Sequence, residues 1–254
     1  ASSLAVQRAL AVLGRVLRDP VAGRRWRVQF DVEAVVGQFR GRVLEAIQHP
    51  HANHVVKQLL DVLPSEYVAF VAEELMGSSV WASKHKYGCR IVLRLVHHSA
   101  SHGWVGETIR AVLSEVLKSA DELCRNEFGK FVIEEIMERG MPEHQRLVMA
   151  ALRACLAQHA RHEHASFLIQ RALRGLSTTG VASSVASDMA EVLTQRDMAQ
   201  SLARSQFGLY VLRDLAHAPR YAQRLRQALA PLAGELRSSR QAKKVLMGLL
   251  ADGE

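Results

Sequence analysis

A ten-residue segment recurs six times along this chain of 254 residues, and it limits the fold more strongly than any other feature of the sequence. In each copy a Gly or Ala precedes a variable position, and an apolar pair lies two and three residues after that position. The copies are HANHVVKQLL, YGCRIVLRLV, FGKFVIEEIM, HASFLIQRAL, FGLYVLRDLA and QAKKVLMGLL. The variable position, called offset zero below, falls at Asn53, Cys89, Lys130, Ser166, Leu209 and Lys243. Spacings of 36, 41, 36, 43 and 34 residues indicate a stack of similar structural units.

Helical periodicity surrounds each copy. Apolar residues return at offsets six and seven, as at Leu59 and Leu60, so the apolar stripe has the period of a helix. The segments PSEYVAFVAEEL, PEHQRLVMAAL and YAQRLRQALAPL begin with turn or capping residues and continue with the same period. The segments RGRVLEAIQ and GSSVWAS each predict a short helix just before a copy of the repeated segment. We therefore predict an all-α fold, an α-solenoid of three-helix units that bury their apolar faces against one another. LSTTGVASSVAS, residues 176–187, is predicted to be a loop.

The same template fits once more at the start of the sequence, with Ser3 at offset zero and Gln7 at offset four. This copy lies 50 residues before Asn53, and the basic stretch DPVAGRRWRVQ accounts for the additional length. We expect a single repeat domain over residues 1–254, with about six repeats and a truncated one at the N-terminus. We also expect the chain to be a fragment of a longer array with further repeats upstream.

The charge balance favours an acidic partner. Thirty-three Lys and Arg residues against 25 Asp and Glu give a net charge of +8, which suits nucleic acid or an anionic membrane surface. No apolar run approaches the roughly 18 residues that a membrane-spanning helix needs, so no membrane span is predicted. The three cysteines, Cys89, Cys124 and Cys155, have no paired spacing, which argues against a disulfide framework or a zinc knuckle and fits a reducing compartment. Cys124 and Cys155 are predicted to lie in the core.

Offsets zero, one and four of each copy are predicted to share the helix face opposite the apolar pair. Offset one is His, Arg, Phe, Phe and Tyr in five successive copies, and each of these groups has a flat face that can stack on a base. Six of the 21 residues at these offsets are basic and only Glu134 is acidic, so the face would also attract a phosphate backbone.

HANHVVKQLL, HKYGCRIVLRLV and NEFGKFVIEEIMERG resemble the RNA-binding repeats of the Pumilio (PUF) family, and the similarity runs in order over essentially the whole chain. The resemblance implies a right-handed, curved α-solenoid whose repeated helices line a concave surface. It also implies that offset one stacks on a base while offsets zero and four contact the base edge, with one base per repeat. The RNA-binding residues implied in this way are Ser3, Gln7, Asn53, His54, Lys57, Cys89, Arg90, Lys130, Phe131, Glu134, Ser166, Phe167, Gln170, Tyr210 and Arg213.

Offset four departs from the Gln or Glu that is usual in this family. It is occupied by Lys57, Leu93, Arg213 and Met247 in four of the copies. Ser3 with Gln7 and Ser166 with Gln170 keep the pair that the family associates with adenine. Lys130 and Glu134 are spaced to pair with each other instead. The last copy, with Lys243 and Lys244, has no stacking residue, which is typical of a terminal cap. Base preference is therefore expected to be relaxed.

Catalysis and metal binding find no support in the sequence. Nucleophile elbows, phosphate-binding glycine loops and paired carboxylates in a cleft are missing, so we predict neither an enzyme nor a cofactor. His159 and His162 could share a helix face, but no third ligand follows at a secure spacing, and the histidine clusters are interpreted as surface residues.

Two classes of function are consistent with these observations. The first is a cytoplasmic, monomeric module that binds single-stranded RNA, such as an mRNA 3′ untranslated region, and regulates it post-transcriptionally through protein partners on the convex face. The second is an α-solenoid that does not read bases. It would be either a protein-interaction scaffold or a nucleolar-type relative that holds structured RNA by charge.

Overall fold

A computed structural model of the protein describes residues 32–99, 103–174, 181–245 and 249. Every regular element in these residues is a helix. The N-terminal copy with Ser3 and Gln7, the basic stretch at 19–29 and Met247 lie outside them. The internal contacts divide the chain into two compact units, residues 1–123 with 131–147 and residues 124–130 with 148–254.

The first unit contains α1 (Val32–Gly37) and two three-helix repeats. The first repeat consists of α2 (Val43–Gln48), α3 (Ala52–Val62) and α4 (Ser65–Leu75). The second consists of α5 (Ser79–Lys84), α6 (Gly88–His98) and α7 (Gly103–Lys118). A further repeat, α8 (Ala120–Arg125), α9 (Gly129–Arg139) and α10 (Pro142–Ala154), has residues in both units.

The second unit continues the same order of elements. It contains α11 (Leu156–Arg161), α12 (Ala165–Leu173) and α13 (Val181–Leu193), followed by α14 (Arg196–Ala203), α15 (Gln206–Ala216) and α16 (Pro219–Leu229). A short 3-10 helix (Ala230–Leu232) then leads to α17 (Ala233–Ser238) and α18 (Arg240–Val245). Each repeat from α2 to α16 thus has a short helix, a repeated helix that carries the sequence motif, and a third helix, which confirms the predicted α-solenoid.

The apolar pairs of the repeated helices form the core of each unit. Val55 and Val56 are buried, as are the corresponding pairs in α6, α9, α12 and α15. In the first unit α3 packs on α6 and α4 on α7, and in the second α12 packs on α15 and α15 on α18. Neighbouring repeats therefore cover each other's apolar stripes, as expected when a single repeat cannot bury its own.

A steric contact explains why the residue before offset zero is small. A β-carbon added at Gly88 would lie 2.4 Å from the carbonyl oxygen of Ala82, and one at Gly208 would lie 2.4 Å from that of Leu202. In both repeats the repeated helix starts directly against the short helix. A larger residue would push the two helices apart, so the motif requires a small one here.

The third helix of a repeat also holds the start of its short helix. Gly41 and Gly77 precede α2 and α5 with φ values of 74° and 75°, in the left-handed region that favours glycine. Glu74 accepts hydrogen bonds from the Gly41 and Val43 amides at 2.6 and 2.9 Å, and Glu115 accepts one from the Gly77 amide at 2.8 Å. These carboxylates satisfy backbone donors that would otherwise lack a partner at the turn.

Two sequence predictions are wrong in part. The predicted loop over residues 176–187 gives way to α13, which begins at Val181. Ala186, Met189 and Leu193 are fully buried at helical spacing, so packing overrides the small polar residues between them. Cys124 is buried as predicted, but Cys155 is half-buried because it precedes α11 instead of lying within its apolar face.

His159 is also placed differently from its prediction as a surface residue. It is completely buried, and its Nδ1 lies 3.2 Å from the carbonyl oxygen of Leu152. His159 lies seven residues before offset zero, and the residue at this position faces the interior in each of the six described repeats. The residues there are Ala46, Ala82, Leu123, His159, Leu202 and Leu236, and all are buried.

Candidate nucleic-acid interface

The offset-zero side chains are mostly buried. Asn53, Cys89, Ser166 and Leu209 have almost no exposed surface, so the expectation that this offset is exposed is wrong for them. The polar ones turn back onto the segment before their own helix. Asn53 donates to the carbonyl of His49 at 2.7 Å, Cys89 to that of Lys86 at 3.5 Å and Ser166 to that of Glu163 at 3.4 Å.

Among the buried members Cys89 remains a hydrogen-bond donor, whereas the two lysines of this series are more exposed. Burial raises the pKa of the Cys89 thiol, although the neighbouring Arg90 opposes the shift, so the thiol stays protonated and can act as a donor. Lys130 is half-buried, and its Nζ lies 3.3 Å from Nδ1 of His164. Lys243 is exposed.

The offset-one side chains are the accessible ones. Arg90, Phe131 and Phe167 are exposed, the two phenylalanines to 43% and 38%, while His54 and Tyr210 are half-buried. In the second unit a guanidinium lies over each ring: Arg171 over Phe167 at 5.9 Å and Arg213 over Tyr210 at 5.3 Å from the ring centre. Each of these groups combines a flat surface with positive charge, which suits an RNA base and its phosphate.

The offset-four side chains interact mostly with their own surroundings. Lys57 donates to Asp61 at 2.5 Å, and Gln170 donates through Nε2 to the carbonyl of Ser166 at 3.2 Å. Arg213 donates through Nε and Nη2 to the same oxygen of Asp214, at 2.9 and 2.8 Å. Leu93 and Glu134 are half-buried. A base that contacts this offset must therefore compete with an existing intramolecular partner.

The motif spacing, the short helix before it and the exposed flat side chains agree with one known repeat. The sequence model of the Pumilio-family RNA-binding repeat matches residues 42–76, 83–101 and 120–153. These three segments match Pumilio-family repeats. The type of repeat predicted from the sequence is thereby confirmed for these segments.

Full-length relatives are much longer than this chain. Pumilio homology domain family member 4 of Saccharomyces cerevisiae is 22% identical over 228 residues, which is 85% of this chain and 24% of that protein. Putative pumilio homolog 7, chloroplastic, of Arabidopsis thaliana is 19% identical over 130 residues, or 51% of this chain and 19% of that protein. This chain therefore spans about a quarter or less of the length of these curated relatives.

Solved structures with the same fold carry RNA. The Puf4 RNA-binding domain bound to the HO endonuclease RNA 3′ UTR recognition sequence aligns with a TM-score of 0.75 and 22% identity. That alignment covers 96% of this chain and 73% of the other. PUF-8 in complex with PBE-RNA aligns with a TM-score of 0.74 and 21% identity, over 95% and 68% of the two chains. At these identities the likeness establishes the Pumilio-type fold.

Each repeated helix begins at a cap that the sequence interpretation missed. The residue four before offset zero accepts hydrogen bonds from backbone amides at the start of the helix. These residues are His49, His85, Asn126, His162, Ser205 and Ser239. The signal was present in the sequence, because only His, Asn and Ser occupy this position.

Three of these repeats use a histidine as the cap. His49 accepts through Nδ1 from the Ala52 amide at 3.1 Å and His85 from the Gly88 amide at 3.2 Å. His162 accepts from the His164 amide at 3.1 Å. Burial lowers the pKa of His162, and the positive charges of His164 and Arg125 lower it further. A neutral ring suits this role because a protonated Nδ1 could not accept a hydrogen bond.

Neither a metal site nor a membrane span was found in the described part of the chain. Across residues 32–99, 103–174 and 181–245, no three His, Cys, Asp or Glu side chains lie close enough together to hold a metal ion. The helices formed by those residues are also too short or too polar to cross a bilayer.

Proposed function

We propose that this chain binds single-stranded RNA, with offset-one side chains stacking on bases and offset-four side chains contacting base edges. One observation carries the proposal: the accessible flat groups recur at the same position of successive repeats. Phe131 and Phe167 are exposed large apolar side chains, and Arg90 is exposed beside them in register. Exposed aromatic residues at a repeated position contribute little to packing and are suited to a ligand with flat faces.

Charge supports the same proposal. The chain carries a net charge of +8, and cations accompany the stacking positions in both units. The Puf4 domain of similar fold is bound to a 3′ UTR recognition sequence. The proposal therefore includes mRNA 3′ untranslated regions as the target class, post-transcriptional regulation as the role and the cytoplasm as the compartment. The chain would act as a monomeric binding module and not as an enzyme.

A second candidate is RNA binding without base reading. It is favoured by the offset-four side chains, because Lys57, Gln170 and Arg213 already have intramolecular partners. In that case stacking and charge would hold RNA of any sequence, and structured RNA in the nucleolus would be an equally suitable target.

A selection from a pool of random RNAs tests both candidates. We expect an enriched motif and tighter binding to single strands than to a duplex of equal length, because stacking needs unpaired bases. The slope of log K against log salt should reach about −0.7 for each phosphate contacted. Binding without an enriched motif would favour the second candidate. Equal affinity for duplex and single strand, or no binding at all, would exclude the stacking arrangement.

A further inference from the structure

A cavity of about 630 Å³ lies between the last two repeated helices, α15 and α18, within the second unit. It lies at offsets one and four of one repeat and at offset one of the next. The residues that line it are Tyr210, Arg213, Arg240, Gln241, Lys244 and Val245. Its volume falls within the roughly 300–1,000 Å³ of pockets that bind small molecules, so it has room for one nucleotide.

The lining of this cavity is cationic. Arg213, Arg240 and Lys244 contribute three positive charges, and none of the lining residues is acidic. Asp214 occupies two of the N–H groups of Arg213, which leaves the others of its five donors for a ligand. Arg240 and Lys244 are exposed and contact no carboxylate among the residues that the structure describes. Uncompensated cations around a concave surface attract an anion.

These charges are not a general requirement for stacking one repeat on the next. The interval before it, between α12 and α15, has Gln170, Gln206 and Tyr210 at the positions of Arg213, Arg240 and Lys244. All three of those residues are neutral, and α12 and α15 pack together with them in place. Stacking of repeats therefore does not require cations at these positions, and a ligand can account for them.

We propose that this cavity holds a phosphate group of the bound RNA strand, with the base of that nucleotide against Tyr210 and no preference for which base it is. The inference rests on the proposed function and extends it to Arg240 and Lys244, two residues that are not among the RNA-binding residues implied by the sequence. The fork of a guanidinium matches two phosphate oxygens, and an ammonium adds a compact charge. The last repeat thus anchors the strand at its phosphate, where the interval before it offers aromatic and amide groups.

The test uses RNAs in which one linkage at a time is a neutral methylphosphonate. The variant Arg240→Gln/Lys244→Gln is compared with the wild type and with Arg237→Gln, an exposed arginine of the same unit that does not line the cavity. Losing one phosphate contact should weaken binding about fivefold at 0.1 M salt. One linkage should show this loss in the wild type and in Arg237→Gln but not in the double variant. The loss should be equal for all four bases at that nucleotide.

A second measurement does not depend on longer RNA. Titration with AMP should shift the NMR signals of residues 208–211 in the wild type, while adenosine at the same concentration should not, and the double variant should lose the difference. If RNA fails to bind but AMP still produces the shift, the proposed function fails and the phosphate site remains. If RNA binds but no linkage depends on Arg240 and Lys244, or if AMP and adenosine act alike, the phosphate site is overturned.

Discussion

Asp61 of one repeat forms an ion pair with Arg94 of the next, with 2.7 Å between Oδ1 and Nε. Nε of Arg94 has no hydrogen-bond partner among the described residues, so the contact is electrostatic. The other oxygen of Asp61 accepts a hydrogen bond from Lys57 at 2.5 Å. Lys57 occupies offset four, where a base edge would be contacted. A carboxylate that joins two repeats therefore also neutralises a potential RNA contact.

The substitution Asp61→Asn should strengthen RNA binding because it releases Lys57 and Arg94 from their shared counterion. The slope of log K against log salt should become steeper by up to about 0.7 for each cation that reaches a phosphate. The free energy of unfolding should fall by about 1 kcal/mol or less, since the groups are partly exposed. Glu66→Gln on the third helix α4 changes the net charge equally and is the control. Equal effects of both variants would mean that only net charge matters.

Truncation of Phe167 to Ala should cost about 1–3 kcal/mol of RNA-binding free energy, because one base loses its stacking partner. The melting temperature should change little, since 38% of the side chain is exposed. Tyr210→Ala should weaken binding similarly. Leu147→Ala is the matched control, as Leu147 is 54% exposed but lies on the third helix α10. A collapse in stability of Phe167→Ala would assign that residue to packing.

The repeat with Ser166, Phe167 and Gln170 should prefer adenine. Gln170 donates through Nε2 to Ser166, and its amide oxygen bonds no residue that the structure describes, so it can accept from adenine's amino group. Gln170→Glu should shift the preference towards guanine, because a carboxylate accepts the donors on guanine's edge. Affinities for four RNAs that differ at the facing base measure this preference.

The adjacent repeat is the control for base preference. Leu209 is buried and offers no hydrogen bond, and Arg213 is held by Asp214, so its four affinities should differ less. If the Ser166 repeat discriminates no better than this one, and Gln170→Glu changes nothing, RNA is held without base reading.

Acidification should destabilise the fold through His162. Its folded pKa lies below the ordinary value of 6.5, so the unfolded chain takes up the proton at higher pH than the folded one. The stabilisation is therefore fully present above pH 6.5 and is lost as the pH falls through the interval down to the folded pKa. Protonation also removes the acceptor that caps α12 and places a cation at its N-terminus.

Urea midpoints measured at about pH 7.5 and about pH 5.5 check this expectation. His162→Asn introduces the residue that caps α9 and should reduce the loss of stability on acidification. Some dependence should remain, because burial lowers the pKa of His144 as well and that ring acts in the same direction. An unchanged pH dependence in His162→Asn would show that the cap does not titrate in this range.

The short, repeated and third helices follow from the sequence because helical periodicity is a local property. Apolar pairs such as Val55 and Val56 could be recognised without knowing how the neighbouring repeat packs. The same is true of the small residue before offset zero. The same register predicted the stacking positions, and Phe131 and Phe167 are exposed there. The family resemblance rested on these local patterns.

Only the tertiary structure decided which side chains face inwards and which partners they meet. Asn53, Cys89 and Ser166 turn back onto the carbonyls before their own helices, and Asp61 pairs with Arg94 in the next repeat, a contact between residues 33 positions apart. His159 is buried because the short helix turns that position inwards. The histidine-rich segment around it nevertheless has the composition of a surface segment. Such outcomes depend on how adjacent helices pack, and the spacing of residues along a single helix carries no information about the side chains brought against it from another repeat.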